Sequence, residues 1–286
     1  MGNQTVDFDK LKSEQKRDWD SAAAGWKKWW PVLERAAQPV SDRLVDLAGI
    51  GAGARVLDVA TGSGEPAITA ARRVLPGGFV IAVDQSPAML MVARERANAL
   101  GISNVTFHES DGELLSIEQT DFNAVLCRWG LMFMPDIDRA LSGFSRRLIS
   151  GGRIALAVWA GADKVPMISI GAEAVRRLAN LPPPSPGALE PLRLSDPTVV
   201  KRALEQAGFH DITIERMPVT FEFDSAEDFT QMREDVAPGF RALLDRQPSQ
   251  LRRQITAAVT EAASRFVQSD GRLRVTNEAI LFAAQR

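Results

Sequence analysis

The sequence predicts an α/β fold built on an open, mostly parallel sheet with helices on both faces. Two observations carry this. Short apolar runs between Ala54 and Ala160 alternate with stretches of helical period, at the spacing that joins parallel strands through covering helices. A glycine turn, "ATGSGE", follows the first of those runs directly. In such a sheet, ligands sit beyond the carboxyl ends of the strands, where the strand order reverses. A length of 286 residues with 45% hydrophobic content suits one sizeable domain, or a domain with a small accessory lobe.

Residues 1–50 read as an N-terminal helical cap of two helices. The first covers "SEQKRDWDSAAAGWKKWWPVLERAAQ", amphipathic and rich in tryptophan; the second covers "PVSDRLVDLAG", with Ser41 as its cap and Gly49 as its stop. Residues 51–160 form the core. "ARVLDVA" is a buried strand, "EPAITAARRVLPGG" a helix ending at Pro76-Gly77-Gly78, and "FVIAVD" a second strand. "SPAMLMVARERANALG" is a helix capped by Ser86 with Pro87 at its first position. "NVTFHESD" and "DFNAVLCRWG" are the third and fourth strands, "DIDRALSGFSRRLISGG" a helix and "RIALAVWA" the fifth strand.

An insertion over 161–194 holds the helical "VPMISIGAEAVRRLANL" and the proline-rich "PPPSPGALEPLRL", which cannot be helix interior. The core continues over 195–224 with a helix capped at Ser195 or Asp196 and the alternating strand "DITIERMPVTFEF". Residues 225–268 are a helical insertion broken near Pro238 and Pro248, and 269–286 supply the final strand. No internal repeat is evident.

Composition narrows the function. A formal net charge of -2 with no long Lys and Arg run lacks the clustered basic footprint of a nucleic-acid binder. The single cysteine, Cys127, can form no internal disulfide. The first residues lack the apolar core of a signal peptide, and Val6 stands where a myristoylation signal at Gly2 needs Ser or Thr. No apolar run reaches membrane-spanning length. The expectation is a cytoplasmic monomer or homodimer acting on a small molecule, without nucleic-acid or membrane partners. No Cys/His cluster has metal-ligand spacing, so no metal is expected.

The glycine turn defines the ligand class. Gly62 and Gly64 let the backbone turn sharply and approach a ligand with no side chain in the way. Asp84 ends the second strand 20 residues after Gly64, where a carboxylate can accept both hydroxyls of an adenosine ribose. This fits a dinucleotide or S-adenosylmethionine. A dinucleotide fingerprint needs a third glycine, and here Glu65-Pro66-Ala67 replaces it. Asp58 and Glu65 flank the turn with negative charge, poor for a pyrophosphate and reasonable for a cofactor carrying an ammonium and a sulfonium.

"VLDVATGSGE" with "AVDQSPAMLMVARERA" resembles the first two motifs of the class I S-adenosylmethionine-dependent methyltransferases, in the ubiquinone/menaquinone-biosynthesis-like branch. The resemblance covers residues 50–160 and extends to 196–220 and 272–285; the N-terminus lacks the quinone-methyltransferase signature. It implies a Rossmann-like sheet of seven strands, parallel except for a closing hairpin. It implies that Asp58 orients the methionine end of the cofactor and that Ala60, Gly62 and Gly64 line it through the backbone. Asp84 then binds the ribose, Gln85 and Ser86 frame the adenine, and Met89 packs beneath the ring. Asp111 accepts the adenine amino group with Gly112 behind it. Cys127 and Arg128 line the methionine portion, and Trp129 and Met132 face the methyl group or the acceptor.

Catalytic groups are sparse. The chain has two histidines and no tyrosine. His210 starts the sixth strand, at the end of the sheet opposite the cofactor. Candidate bases are Asp18, Asp20, His108 and Glu222. Cys127 sits in an apolar strand with no histidine partner, which argues against a nucleophile. Alignment of an acceptor with an already activated methyl group supplies much of the rate. Trp19, Trp26 and Trp30 share a helical face that docks on the sheet domain, and the resemblance implies that this N-terminal segment covers the cofactor mouth. With the two late insertions they form an apolar lid suited to a small, largely apolar or aromatic acceptor. The expected function is methyl transfer to a carbon, oxygen or nitrogen of such a molecule. Two other readings stand beside it: a non-catalytic cofactor-binding or regulatory protein of this fold, and a nucleotide-dependent oxidoreductase.

Overall fold

A computed structural model describes residues 8–182 and 188–286. Gly2, Val6 and the central prolines of the 161–194 insertion lie outside the described residues. The chain opens with helix α1 (Phe8–Leu47). The core then runs β1 (Arg55–Val59), α2 (Ala67–Arg73), β2 (Phe79–Asp84), α3 (Pro87–Ala99), β3 (Val105–Glu109), β4 (Phe122–Arg128), α4 (Ile137–Arg147) and β5 (Leu148–Trp159). Next come α5 (Pro166–Leu178), α6 (Pro197–Gln206), β6 (His210–Phe223), α7 (Ala226–Val236), α8 (Pro238–Asp245), α9 (Ser249–Ser264) and β7 (Leu273–Gln285).

The strands form one seven-stranded sheet in the order β3-β2-β1-β4-β5-β7-β6. All neighbours are parallel except β7, which runs antiparallel to both β5 and β6. The central strands read as continuous apolar runs because helices cover both faces: Val56, Leu57, Val125, Leu126, Leu156 and Val158 are all fully buried. The order reverses between β1 and β4, so the crevice beyond their carboxyl ends is the expected ligand site. Local chemistry sets the helix starts. Ser86 Oγ accepts from the Met89 N–H at 3.1 Å, and Asp136, Asp196 and Ser225 cap α4, α6 and α7 in the same way.

The N-terminus departs from the expected two helices. Residues 8–47 are one helix, about 60 Å long at 1.5 Å per residue. Ser41 is no cap; it lies buried within α1 and accepts a 2.7 Å hydrogen bond from Arg128. Pro31 and Pro39 both sit inside the helix on its exposed side, where water can take the carbonyls they leave unbonded. Leu33, Ala37, Val40 and Leu44 form the opposite, buried stripe, and this packing outweighs the local cost of the prolines.

Candidate functional site

The carboxyl ends of β1 and β4 carry two residues in the left-handed region: Ala60 at φ +58° and Trp129 at φ +57°. Such conformations cost of order 1–3 kcal/mol each in non-glycine residues and collect at ligand sites. The two turns press together, since a Cβ on Gly130 would collide with the Ala60 side chain. Gly62 also has positive φ, and its N–H donates to Asp84 Oδ2 at 2.8 Å. The other oxygen, Oδ1, accepts from the Ser86 N–H at 2.9 Å. Asp84 thus locks the glycine turn to the tip of β2. Burial pushes its carboxyl up to about 6.

Behind the turn lies a buried charge cluster. Asp58 is fully buried; Oδ2 accepts from the Ala67 N–H at 3.0 Å, while Oδ1 makes no hydrogen bond. Glu34, reaching in from α1, likewise has an unbonded buried oxygen, Oε1. Burial pushes both carboxyls up to about 7. Arg128 donates to Ser41 Oγ and stands 4.0 Å from Glu34. Arg96 donates to the Ser63 carbonyl and lies 3.5 Å from Glu65. Burial lowers its pKa to about 10.

A cavity of about 640 Å³ opens over these groups. Its floor is the glycine turn with Asp84, Gln85, Ser110, Gly112, Arg128 and Trp129. One wall is α1, through Trp19, Trp26, Trp30 and Glu34. The other comes from the two insertions: Met167 and Ile168 of α5, Met232, Arg233 and Val236 of α7, and Phe240 of α8. Trp129 stacks on Trp159 with centroids 4.2 Å apart and planes 8° from parallel. Trp19 meets Phe133 edge-on at 5.2 Å. The size and largely apolar, tryptophan-rich lining are those of a small-molecule site.

Most sequence-predicted residues converge here. Asp18, Trp19, Trp26, Trp30, Ala60, Gly62, Asp84, Gln85, Met89, Gly112, Arg128 and Trp129 all border the cavity. Asp58, Gly64, Cys127 and Met132 stand outside its lining. Cys127 is buried, and burial pushes its thiol up to about 12, which makes it inert as a nucleophile.

Four residues are engaged elsewhere. Asp111 is ion-paired with Lys12 at 2.9 Å and accepts from the Glu113 N–H at 2.7 Å. Asp20 accepts from Ser86 Oγ at 2.6 Å, fastening α1 to α3. His108 is exposed beside Thr106, because alternate residues of the edge strand β3 face outward. Glu222 bridges Arg274 at 3.1 Å and Arg272 at 3.7 Å across the antiparallel β6–β7 pair. None of the four borders the cavity.

Glu34 and Arg233 escaped sequence reasoning. Each carries a readable signal: a charge set into a buried helical stripe, Glu34 among Trp30, Leu33 and Ala37, and Arg233 among Phe229, Met232 and Val236.

Comparison with known proteins adds to this geometry. Residues 50–180 match the family described as a methyltransferase domain. Over these residues, a little under half of the chain, it is similar to methyltransferases. It is 36% identical over 111 residues to the ubiquinone/menaquinone biosynthesis C-methyltransferase UbiE of Pasteurella multocida, covering 38% of this chain and 41% of that protein. It is 34% identical over 117 residues to the aklanonic acid methyltransferase DauC of Streptomyces sp. (strain C5), covering 41% and 53%. These matches, at the same level, do not single out the quinone branch. The chain spans about half the length of the curated relatives it matches. A solved phosphoethanolamine methyltransferase of Haemonchus contortus shares the fold, with TM-score 0.56 and 19% identity, covering 93% of this chain and 57% of that one.

A second solved form of that Haemonchus contortus enzyme is in complex with S-adenosyl-L-methionine. The residues present in this chain fit it. Buried, unbonded carboxylate oxygens on Asp58 and Glu34 suit a cationic group, and a Cβ at Gly112 would close the floor against Met134.

Proposed function

We propose that this protein transfers a methyl group from S-adenosylmethionine to a small, largely apolar or aromatic acceptor. One observation carries the reading: the methyltransferase floor and the tryptophan wall border the same cavity. When bound, S-adenosylmethionine supplies an electrophilic methyl group. The residues of this chain bind and orient. Asp84 accepts the ribose hydroxyls on lone pairs left free by the Gly62 and Ser86 amides. Glu34 and Asp58 supply negative charge toward the cationic end of the cofactor, balanced by Arg128. Ser110 and Gly112 border the adenine side. Trp19, Trp26, Trp30 and Trp129 hold a flat acceptor by large apolar contact and exclude water.

No histidine borders the cavity and the chain has no tyrosine. Rate acceleration therefore rests on alignment of acceptor and methyl carbon, with the wall carboxylates available where a proton must leave. The test is incubation with methyl-labelled S-adenosylmethionine and a panel of phenols, quinones, amines and aromatic acids. Label is expected in an apolar or aromatic product. Cofactor binding with no transfer to any acceptor, a crude small-molecule extract included, would favour a non-catalytic binding protein instead.

A further inference from the structure

Arg233 is a buried cation with no countercharge. It is 7% exposed, on the inner face of α7 between Phe229, Met232 and Val236, and it borders the large cavity. Its Nε has no hydrogen-bond partner, and among the described residues no carboxylate lies within 4.0 Å of its guanidinium. Its one recorded contact of electrostatic kind is the Phe240 ring, 5.8 Å from Cζ to centroid. Two other largely buried arginines, Arg128 in the cavity lining and Arg96 behind it, are compensated: Arg96 by Glu65 and the Ser63 carbonyl, Arg128 by Ser41, the Ala37 carbonyl and Glu34. Burying an ion alone is strongly unfavourable, so an isolated one facing a cavity implies a ligand that brings the opposite charge.

We propose that Arg233 receives an anionic group of the acceptor, so that the acceptor is an apolar or aromatic molecule bearing a carboxylate. This rests on the methyl-transfer reading above and narrows its substrate class. Burial lowers the Arg233 pKa to about 10, which leaves it charged at neutral pH. A guanidinium presents paired N–H groups that match the two oxygens of a carboxylate. The helix that carries the anchor springs from the far edge of the sheet. Asp84 and Ser110 belong to the β2 and β3 edge of the sheet, whereas α7 follows β6 at the opposite edge.

The test uses the full chain saturated with S-adenosylhomocysteine and two probes of one shape, 2-naphthoate and 2-naphthamide, titrated calorimetrically. The acid is expected to bind at least about tenfold more tightly than the amide. Arg233→Met should abolish that preference, and Arg233→Lys should keep part of it. Arg233→Met should also melt at a higher temperature, because an uncompensated buried charge has gone, and its affinity for S-adenosylhomocysteine should stay within about twofold. Absence of any preference for the acid in the natural protein, including no binding of either probe, overturns the proposal. So does a preference that survives Arg233→Met. A fall in S-adenosylhomocysteine affinity in Arg233→Met overturns it too, assigning Arg233 to the cofactor's own carboxylate. If the natural protein fails to bind S-adenosylhomocysteine at all, the methyl-transfer reading falls first.

Discussion

Asp84 does two jobs with one carboxylate. Its oxygens hold the Gly62 and Ser86 amides, and the same group borders the cavity. Asp84→Ala should therefore weaken cofactor binding by roughly 1–3 kcal/mol and also lower stability, since two backbone donors lose their acceptor. Calorimetric titration with S-adenosylhomocysteine and chemical denaturation check the two effects separately. The buried carboxyls also set a pH dependence. Asp84 is pushed up to about 6, and Glu34 and Asp58 to about 7, all above their ordinary values. Raised values mean that the folded state holds protons the unfolded chain has already released. Their stabilising contribution is fully present below about pH 4 and is lost as pH rises through about 6 to 7. The cofactor-free protein should be more stable at pH 5 than at pH 8 by urea denaturation, while the stabilisation by S-adenosylmethionine should be larger at pH 8, where the carboxylates are ionised. Asp84, Gly62 and Gly64 were legible in the sequence because their chemistry is local to one βαβ turn. Glu34 showed only as a charge set into a buried stripe, because the groups that define its role, Arg128 and Arg96, lie across the fold.

At the scale of elements, α1 is the piece that turns a cofactor fold into a closed cavity. It is fastened at intervals: Lys12 to Asp111, Asp20 to Ser86, Gln38 to Thr69 and Arg43 to Glu215. Its contact with α7 is close, with Trp26 donating to the Val236 carbonyl at 3.0 Å and a Cβ on Gly25 set to collide with the Asp235 backbone. Gly25→Ala should force the two helices apart and cost about 1–3 kcal/mol by chemical denaturation. The tryptophans divide by duty. Trp29 donates to Asp235 at 2.7 Å and packs on Phe223, away from the cavity, so Trp29→Leu should lower the melting temperature. Trp19→Leu and Trp30→Leu should instead raise the acceptor KM with cofactor affinity largely kept. The tryptophan face was readable from helical period. The single helix was not, because Pro31 and Pro39 are local stop signals overridden by a stripe that buries Leu33, Val40 and Leu44.

Across the whole molecule, the alternation of strand and helix periods announced the sheet, and the late helices announced themselves by their proline breaks. The cavity was harder to read, since it joins residues as far apart as Trp26 and Val236. Among the described residues no helix is long and apolar enough to cross a membrane, and no group of three His, Cys, Asp or Glu side chains could hold a metal ion. The central claim is that one cavity, between the β1–β4 floor and the α1 tryptophans, takes both cofactor and acceptor. A crystal structure with S-adenosylhomocysteine bound tests it most directly. The account predicts the ribose on Asp84 and the sulfur facing the space beneath Trp19, Trp26 and Trp30. A ligand bound away from the Gly62 turn, or a sulfur walled off from the tryptophans, would contradict it.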